Sequence, residues 1–202
     1  MLPAAPHIRL YRSDDLAALY EICLRTGASG RDATDLVEDP KLFGDLYAAP
    51  YGVLESEHAF VLDDGAGRAV GYVVGAVDTA AFEGRCEAGW WPAVRERHPL
   101  RPDGATLDDL LVYLVHHRSL PPATLLAEFP AHLHINLLPQ VQSGGWGRRL
   151  MGTLFDSLRS DGAAGVHWGV STHNEPAIGF YRHLGYEELA GDELTLTFAQ
   201  RL

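Results

Sequence analysis

The chain has 202 residues, 47% of them hydrophobic and 21% charged, the balance of an ordinary folded protein rather than a disordered one. The length suits one domain, residues 1–202, with a substantial core. A net charge of −11 excludes the clustered Lys and Arg on which nucleic-acid binding depends, and no apolar run approaches the ~20 residues of a membrane span.

Acidity of this kind favours a cationic acceptor such as an amine by electrostatic steering, and it also serves solubility. The opening Met1-Leu2-Pro3-Ala4-Ala5-Pro6 lacks the basic and apolar regions of a signal peptide. Cys23 and Cys86 are too few and too far apart for a disulfide framework or a metal knuckle. A cytoplasmic protein with reduced thiols is expected.

In chain order, residues 7–11 alternate and predict a strand. Residues 14–25 predict a helix capped by Ser13 and stopped by Gly27. A second helix is expected from residue 33 onward, broken near Pro40 and Pro50. Residues 59–62 and 69–77 predict a hairpin across the polar, glycine-rich turn 63–67. The stretch 79–130 holds Trp90-Trp91, an amphipathic helix around residues 107–115, and Pro121-Pro122. Residues 133–138 predict the next strand and 146–159 the next helix, whose apolar stripe is Leu150, Leu154 and Leu158 widened by Met151 and Phe155. A buried strand at 165–170, a short helix after Asn174 and a closing strand at 193–198 complete the reading.

Two segments carry chemistry. The first is Gln142-Ser143-Gly144-Gly145-Trp146-Gly147, a Q-x-x-G-x-G bend that delivers the chain into a helix N-terminus. Such a bend leaves backbone N–H groups unpaired where the helix dipole adds roughly +0.5 charge, and glycine permits positive φ and close approach. A phosphate or pyrophosphate is the natural guest, and a plain capping turn is the alternative. A Walker loop fits poorly because no Lys-Ser or Lys-Thr follows. A dinucleotide fingerprint fits poorly because the bend sits late in the chain. The second segment is 174–186, in which Asn174 is a good N-cap. Ala177, Ile178, Tyr181 and Leu184 recur at helical spacing, and Gly185 supplies the stop.

Together these segments resemble the GCN5-related N-acetyltransferase (GNAT) family, with its Q/R-x-x-G-x-G/A loop followed by N-x-x-A-x-x-F-Y-x-x-x-G-F/Y. Ile8-Arg9-Leu10 followed by Ser13-Asp14-Asp15 is similar to the family's start. Gly71-Tyr72, Val77-Asp78, Trp90, Leu120-Pro121, Phe129-Pro130, Phe180-Tyr181 and Leu184-Gly185 resemble the acetyltransferase-like C-terminal domain of O-GlcNAc hydrolases. The likeness implies a free-standing bacterial-type relative. It also implies an α/β (α+β) fold: a mixed, mostly antiparallel sheet of about seven strands, flanked by helices and splayed between strands 4 and 5. The stretch 79–130 is then a family-specific insertion: a wall of the acceptor site, a dimer surface, or a structural cover over one face of the sheet.

The resemblance further implies acetyl-CoA as cosubstrate, entering the splayed gap as a pseudo-strand. Its binding set is Leu137, Leu138, Gln142, Ser143, Gly144, Gly145, Trp146, Gly147, Arg148, Asn174 and Tyr181. Tyr181 stands where the family places its general acid, with packing against the sulfur as the alternative role. A backbone N–H near Leu137 or Leu138 is the expected oxyanion donor. The base is not evident. The family's positions on the fourth strand are Ala131 and Leu133 here, while His132, His134 and Asn136 fall on the opposite face of an unbroken strand. Asp78, Glu128 and Glu175 are further candidates. A lysine-like amine costs about 4–5 kcal/mol to deprotonate at pH 7, so a water chain or a low-pKa acceptor are alternatives. The histidines lack acidic or cysteine partners at ligand spacing, and no metal is expected.

The leading expectation is an N-acetyltransferase for a primary amine, on a small molecule or a protein lysine, acting by direct attack as a monomer or homodimer. A CoA-binding pseudo-acetyltransferase serving as scaffold or sensor is the alternative. Transfer of a longer acyl group, or to a hydroxyl, is a third reading.

Overall fold

The computed structural model describes residues 4–101, 104–189 and 191–202. Its strands are β1 (His7–Leu10), β2 (Ala59–Asp63), β3 (Ala69–Ala76), β4 (Ala131–Leu137), β5 (Gly165–Ser171), β6 (Glu187–Leu189) and β7 (Thr195–Arg201). They form one sheet in the order β1-β2-β3-β4-β5-β7-β6. Every neighbouring pair is antiparallel except β4 and β5. A parallel pair requires a crossover, and α8 (Trp146–Ser160) supplies it. β3 is buried along its whole length, as its apolar run on both faces of a central strand demands.

One face of the sheet is covered by α1 (Leu16–Leu24) and α3 (Ala49–Leu54), with α2 (Leu42–Tyr47) packed on α1. The other face carries α8, whose Leu150, Met151, Leu154, Phe155 and Leu158 are buried. α9 (Glu175–His183) lies beside it, because the Phe180 ring fills the space next to Gly147. The stretch 79–130 contains α4 (Thr79–Gly89), α5 (Trp91–Arg97), α6 (Leu107–His116) and α7 (Ala123–Glu128). Of these, α4 packs on α3 and α6 on α2, with α5 between them.

The sequence expectations fail at three places. Ser13 does not cap the first helix; it sits in a short 3-10 turn, Ser13–Asp15, ahead of α1. Asp15 accepts the Arg12 N–H at 2.8 Å instead. Its carboxylate is held there by Arg9, which bridges Asp15 (2.6 Å) and Asp63 (2.8 Å) and keeps both acids below the usual range. The helix expected from residue 33 is only a 3-10 turn, Thr34–Leu36, although the chain does break after Pro40 and at Ala48; Pro50 itself occupies the first turn of α3, where its missing N–H has no partner to lose. The closing strand is β7, later than residues 193–198, and it lies between β5 and a three-residue edge strand, β6. Glu187-Glu188-Leu189 has no apolar alternation to announce it. Glu188 is held from outside by Arg182 at 2.7 Å.

Candidate active site

β4 and β5 pair only through Ala131 with Val166 and His132 with His167. Beyond those residues they separate, and the gap opens toward the glycine bend. The β3–β4 register is unbroken from His132 to Leu137, so β4 has no bulge there. The Leu138 N–H donates to Val70 at 3.0 Å. Alternation then directs the main-chain groups of Asn136, His134 and His132 to β3, and those of Leu133, Ile135 and Leu137 to the gap. Of the two expected oxyanion donors, Leu137 has the available N–H. Its carbonyl accepts the Gln142 side-chain amide at 2.9 Å, which ties the bend to the mouth of the gap.

The bend owes its shape to two left-handed residues, Ser143 (φ 63) and Gly145 (φ 74), the latter directly ahead of α8. The N–H groups of residues 143–148 find no acceptor among the described residues. They are six consecutive free donors at the N-terminus of a 15-residue helix. The glycines do different work. A Cβ at Gly145 would meet open space, whereas one at Gly147 would lie 2.9 Å from the Phe180 ring. Gly147 therefore seats α9 against α8, and Gly145 supplies the turn. Arg149 stacks over Trp146 at 4.0 Å, and Arg148 is exposed.

Tyr181 lies on α9 with its ring packed on Trp168 (5.4 Å between centroids) and Phe198 (5.2 Å). It is 6% exposed, and its hydroxyl has no hydrogen bond to a described residue. Burial pushes the phenol well above its ordinary range, so it retains its proton throughout the physiological range. Asn174 accepts the Ala177 N–H at 3.2 Å as the cap of α9. Gly30 packs directly against its side chain, and Ser29 bonds to Ser171 at 3.1 Å. The loop after α1 thus reaches the end of β5, while Thr26 accepts from Asn136 on β4.

The face of the gap opposite α8 carries the histidines. Thr79 gives its only hydroxyl proton to Pro130 O at 2.7 Å, so the His132 Nδ1–H donates to Thr79 at 2.9 Å. His132 Nε2 then accepts from the Tyr51 hydroxyl at 2.6 Å. His132 is fixed as one neutral tautomer, and burial holds its pKa well below the usual value. The His167 Nδ1–H donates to Phe129 O at 2.8 Å. His134 is different: it is half-buried, flanked by Tyr47 (5.4 Å) and Tyr51 (5.5 Å), and neither ring nitrogen is bonded to a described residue. Burial, reinforced by the charges of Arg118 and His167, lowers its pKa to about 4.

The other candidate bases lie elsewhere. Asp78 caps α4 by accepting from Ala81, Glu128 pairs with Arg201 at 2.6 Å, and Glu175 is exposed in the first turn of α9. His116 bonds to His98 O and His117 stacks on Tyr113, apart from the β4 histidines. Among the described residues, Glu55, Glu57 and His58 have ligand atoms within 4.8 Å of one another. There Arg85 holds Glu55, and Ser157 and Asp161 hold His58. Sequence reasoning missed Tyr47, Tyr51, Thr79 and Arg118. They come from separate elements, and no local spacing marks them.

The profile of the "Acetyltransferase (GNAT) family" matches residues 31–186. Protein O-GlcNAcase from Rattus norvegicus and from Mus musculus is each 27% identical over 187 residues, 91% of this chain. The chain spans about a fifth of the length of those relatives (20%). Among solved structures, SsHAT is similar with a TM-score of 0.91 and 43% identity over 98% of both chains. A putative acetyltransferase, yncA of Salmonella typhimurium, solved with its cofactor acetyl-CoA, shares the fold at a TM-score of 0.56 and 19% identity, over 98% of this chain and 94% of that one.

Proposed function

This chain belongs to the GNAT acetyltransferase family, and on that premise we propose that it is an acetyl-CoA-dependent N-acetyltransferase whose acceptor is a primary amine. The observation that carries the reading is the row of free N–H groups on residues 143–148 at the mouth of the β4–β5 gap. A row of free donors and a helix dipole suit a diphosphate. Trp146 and Arg148 flank that position, and the free edge of β4 suits a chain of amides lying in the gap.

Acetyl-CoA would supply the activated acetyl thioester. In this reading the Leu137 N–H would donate to a developing negative oxygen, and Tyr181 to the sulfur. With its pKa raised by burial, Tyr181 holds its proton firmly. It serves first as a hydrogen-bond donor, passing the proton on only as a thiolate forms. One observation favours the alternative, a CoA-binding scaffold: Ala131 and Leu133 cannot titrate, and both ring nitrogens of His132 are engaged.

Calorimetric titration with acetyl-CoA tests the proposal. Micromolar-range affinity is expected, and absence of heat at millimolar ligand would reject the enzyme and the scaffold together. Thiol release in the presence of an amine panel then separates the two.

A further inference from the structure

The proposed function leaves the acceptor open, and the face of the gap across from α8 narrows it. The α8 side is filled by Leu154, Phe155 and Trp168, so an acceptor nitrogen must arrive from the side of His134. Its surroundings are aromatic or neutral: Tyr47 and Tyr51 at 5.4 and 5.5 Å, and the pinned, neutral His132 at 6.4 Å between ring centroids.

The one permanent charge that bears on His134 is positive. Arg118, on the chain after α6, lies with its guanidinium over Trp91 at 4.7 Å. Its charge reaches His134 and Tyr47, while Tyr51 feels both Arg118 and the Glu83 carboxylate paired with it. The nearby carboxylates are already committed. Glu83 is held by Arg118 and Trp91, and Asp45 by Arg97 at 2.9 Å and Tyr20 at 2.6 Å. Among the described residues, no unpaired carboxylate is left to receive an ammonium ion beside His134.

Resting on the reading of an acetyl-CoA-dependent transferase, we propose that the acceptor is a weakly basic amine of the arylamine class, uncharged at neutral pH, held between Tyr47 and Tyr51 with its nitrogen against His134. A lysine-type amine is unprotonated in only about one molecule in 2,500 at pH 7, and the carboxylates near this face are already paired with arginines. An arylamine arrives with its lone pair free. As the N–C bond forms and the C–S bond breaks, the nitrogen gives one proton to the free imidazole nitrogen of His134. The departing sulfur takes one from Tyr181 and leaves as the thiol. His134 and Tyr181 then exchange that proton through solvent, so that amine and thioester give amide and thiol.

The test compares aniline with benzylamine, close in shape and far apart in basicity, using the full chain, acetyl-CoA and a chromogenic assay of thiol release. The expected kcat/KM at pH 7 favours aniline by about tenfold or more, the direction set by the unprotonated fractions. The aniline rate should be flat from about pH 6 to 9, where neither the amine nor His134 titrates, while the benzylamine rate climbs. His134→Gln should lower kcat for aniline and leave acetyl-CoA affinity unchanged. Preference for benzylamine or a lysine amide at pH 7 would overturn the inference. So would bound acetyl-CoA with no aniline consumed, or an unaltered kcat in His134→Gln. Calorimetry alone reports on the cofactor, so failure to bind acetyl-CoA would reject the parent proposal separately.

Discussion

Gly145 offers the sharpest separation of folding from binding. Its φ of 74 lies in the left-handed region, and the space beside its missing side chain is open. Any L-residue there pays about 1–2 kcal/mol of backbone strain but meets no clash. Alanine adds only that strain. Aspartate adds a side chain at the N-cap position, where it recovers about 1 kcal/mol by bonding the first free N–H groups of α8. Gly145→Asp should therefore unfold at or above the temperature of Gly145→Ala, the latter falling by about 2–8 °C for a chain of this size. Binding should reverse the order. A carboxylate about 5 Å from one phosphate charge costs about 1–3 kcal/mol between effective dielectrics of about 80 and 20, and it also blocks the amides. Calorimetry should find acetyl-CoA affinity about 5- to 150-fold weaker in Gly145→Asp, with a much smaller change in Gly145→Ala. If aspartate binds acetyl-CoA as well as alanine does, the diphosphate does not lie on residues 143–148.

Other expectations follow from the same geometry. Gly147→Ala puts a methyl 2.9 Å from the Phe180 ring, so α9 must shift; a loss of about 1–3 kcal/mol in denaturant unfolding is expected, and an unchanged midpoint would show that the helices are not seated there. Tyr181→Phe removes a hydroxyl with no described partner, so thermal stability should hold while turnover falls about tenfold or more; equal turnover would assign Tyr181 to packing. His132, His134 and His167 have folded pKa values below their unfolded ones, so their contribution is intact above about pH 6.5 and is lost as pH falls toward the folded values. Asp15 and Asp63 lose theirs only below the ordinary carboxylate range. Melting temperatures between pH 4.5 and 6.5 should thus rise with pH, less steeply in His134→Gln, and equal slopes would show that His134 does not titrate there.

What the sequence by itself determined was local. The Q-x-x-G-x-G bend, the stripe of α8, the Asn174 cap and the Gly185 stop each depend on residues within a few turns of one another, and spacing reports such features directly. The seven-stranded sheet and its splay came from family resemblance rather than periodicity, and the fold bears them out. Tertiary structure decided the rest. Arg9, 54 residues from Asp63, moved the start of the first helix by gathering two acids. Gly147, read as part of the phosphate-binding bend, proved to be a contact between α8 and α9. His132 and His134 share a strand face, yet Thr79 and Tyr51 close the first and leave the second free, through partners 53 and 81 residues from His132. A side chain's chemistry depends on which groups reach it, and folding brings those groups from distances that no local pattern records.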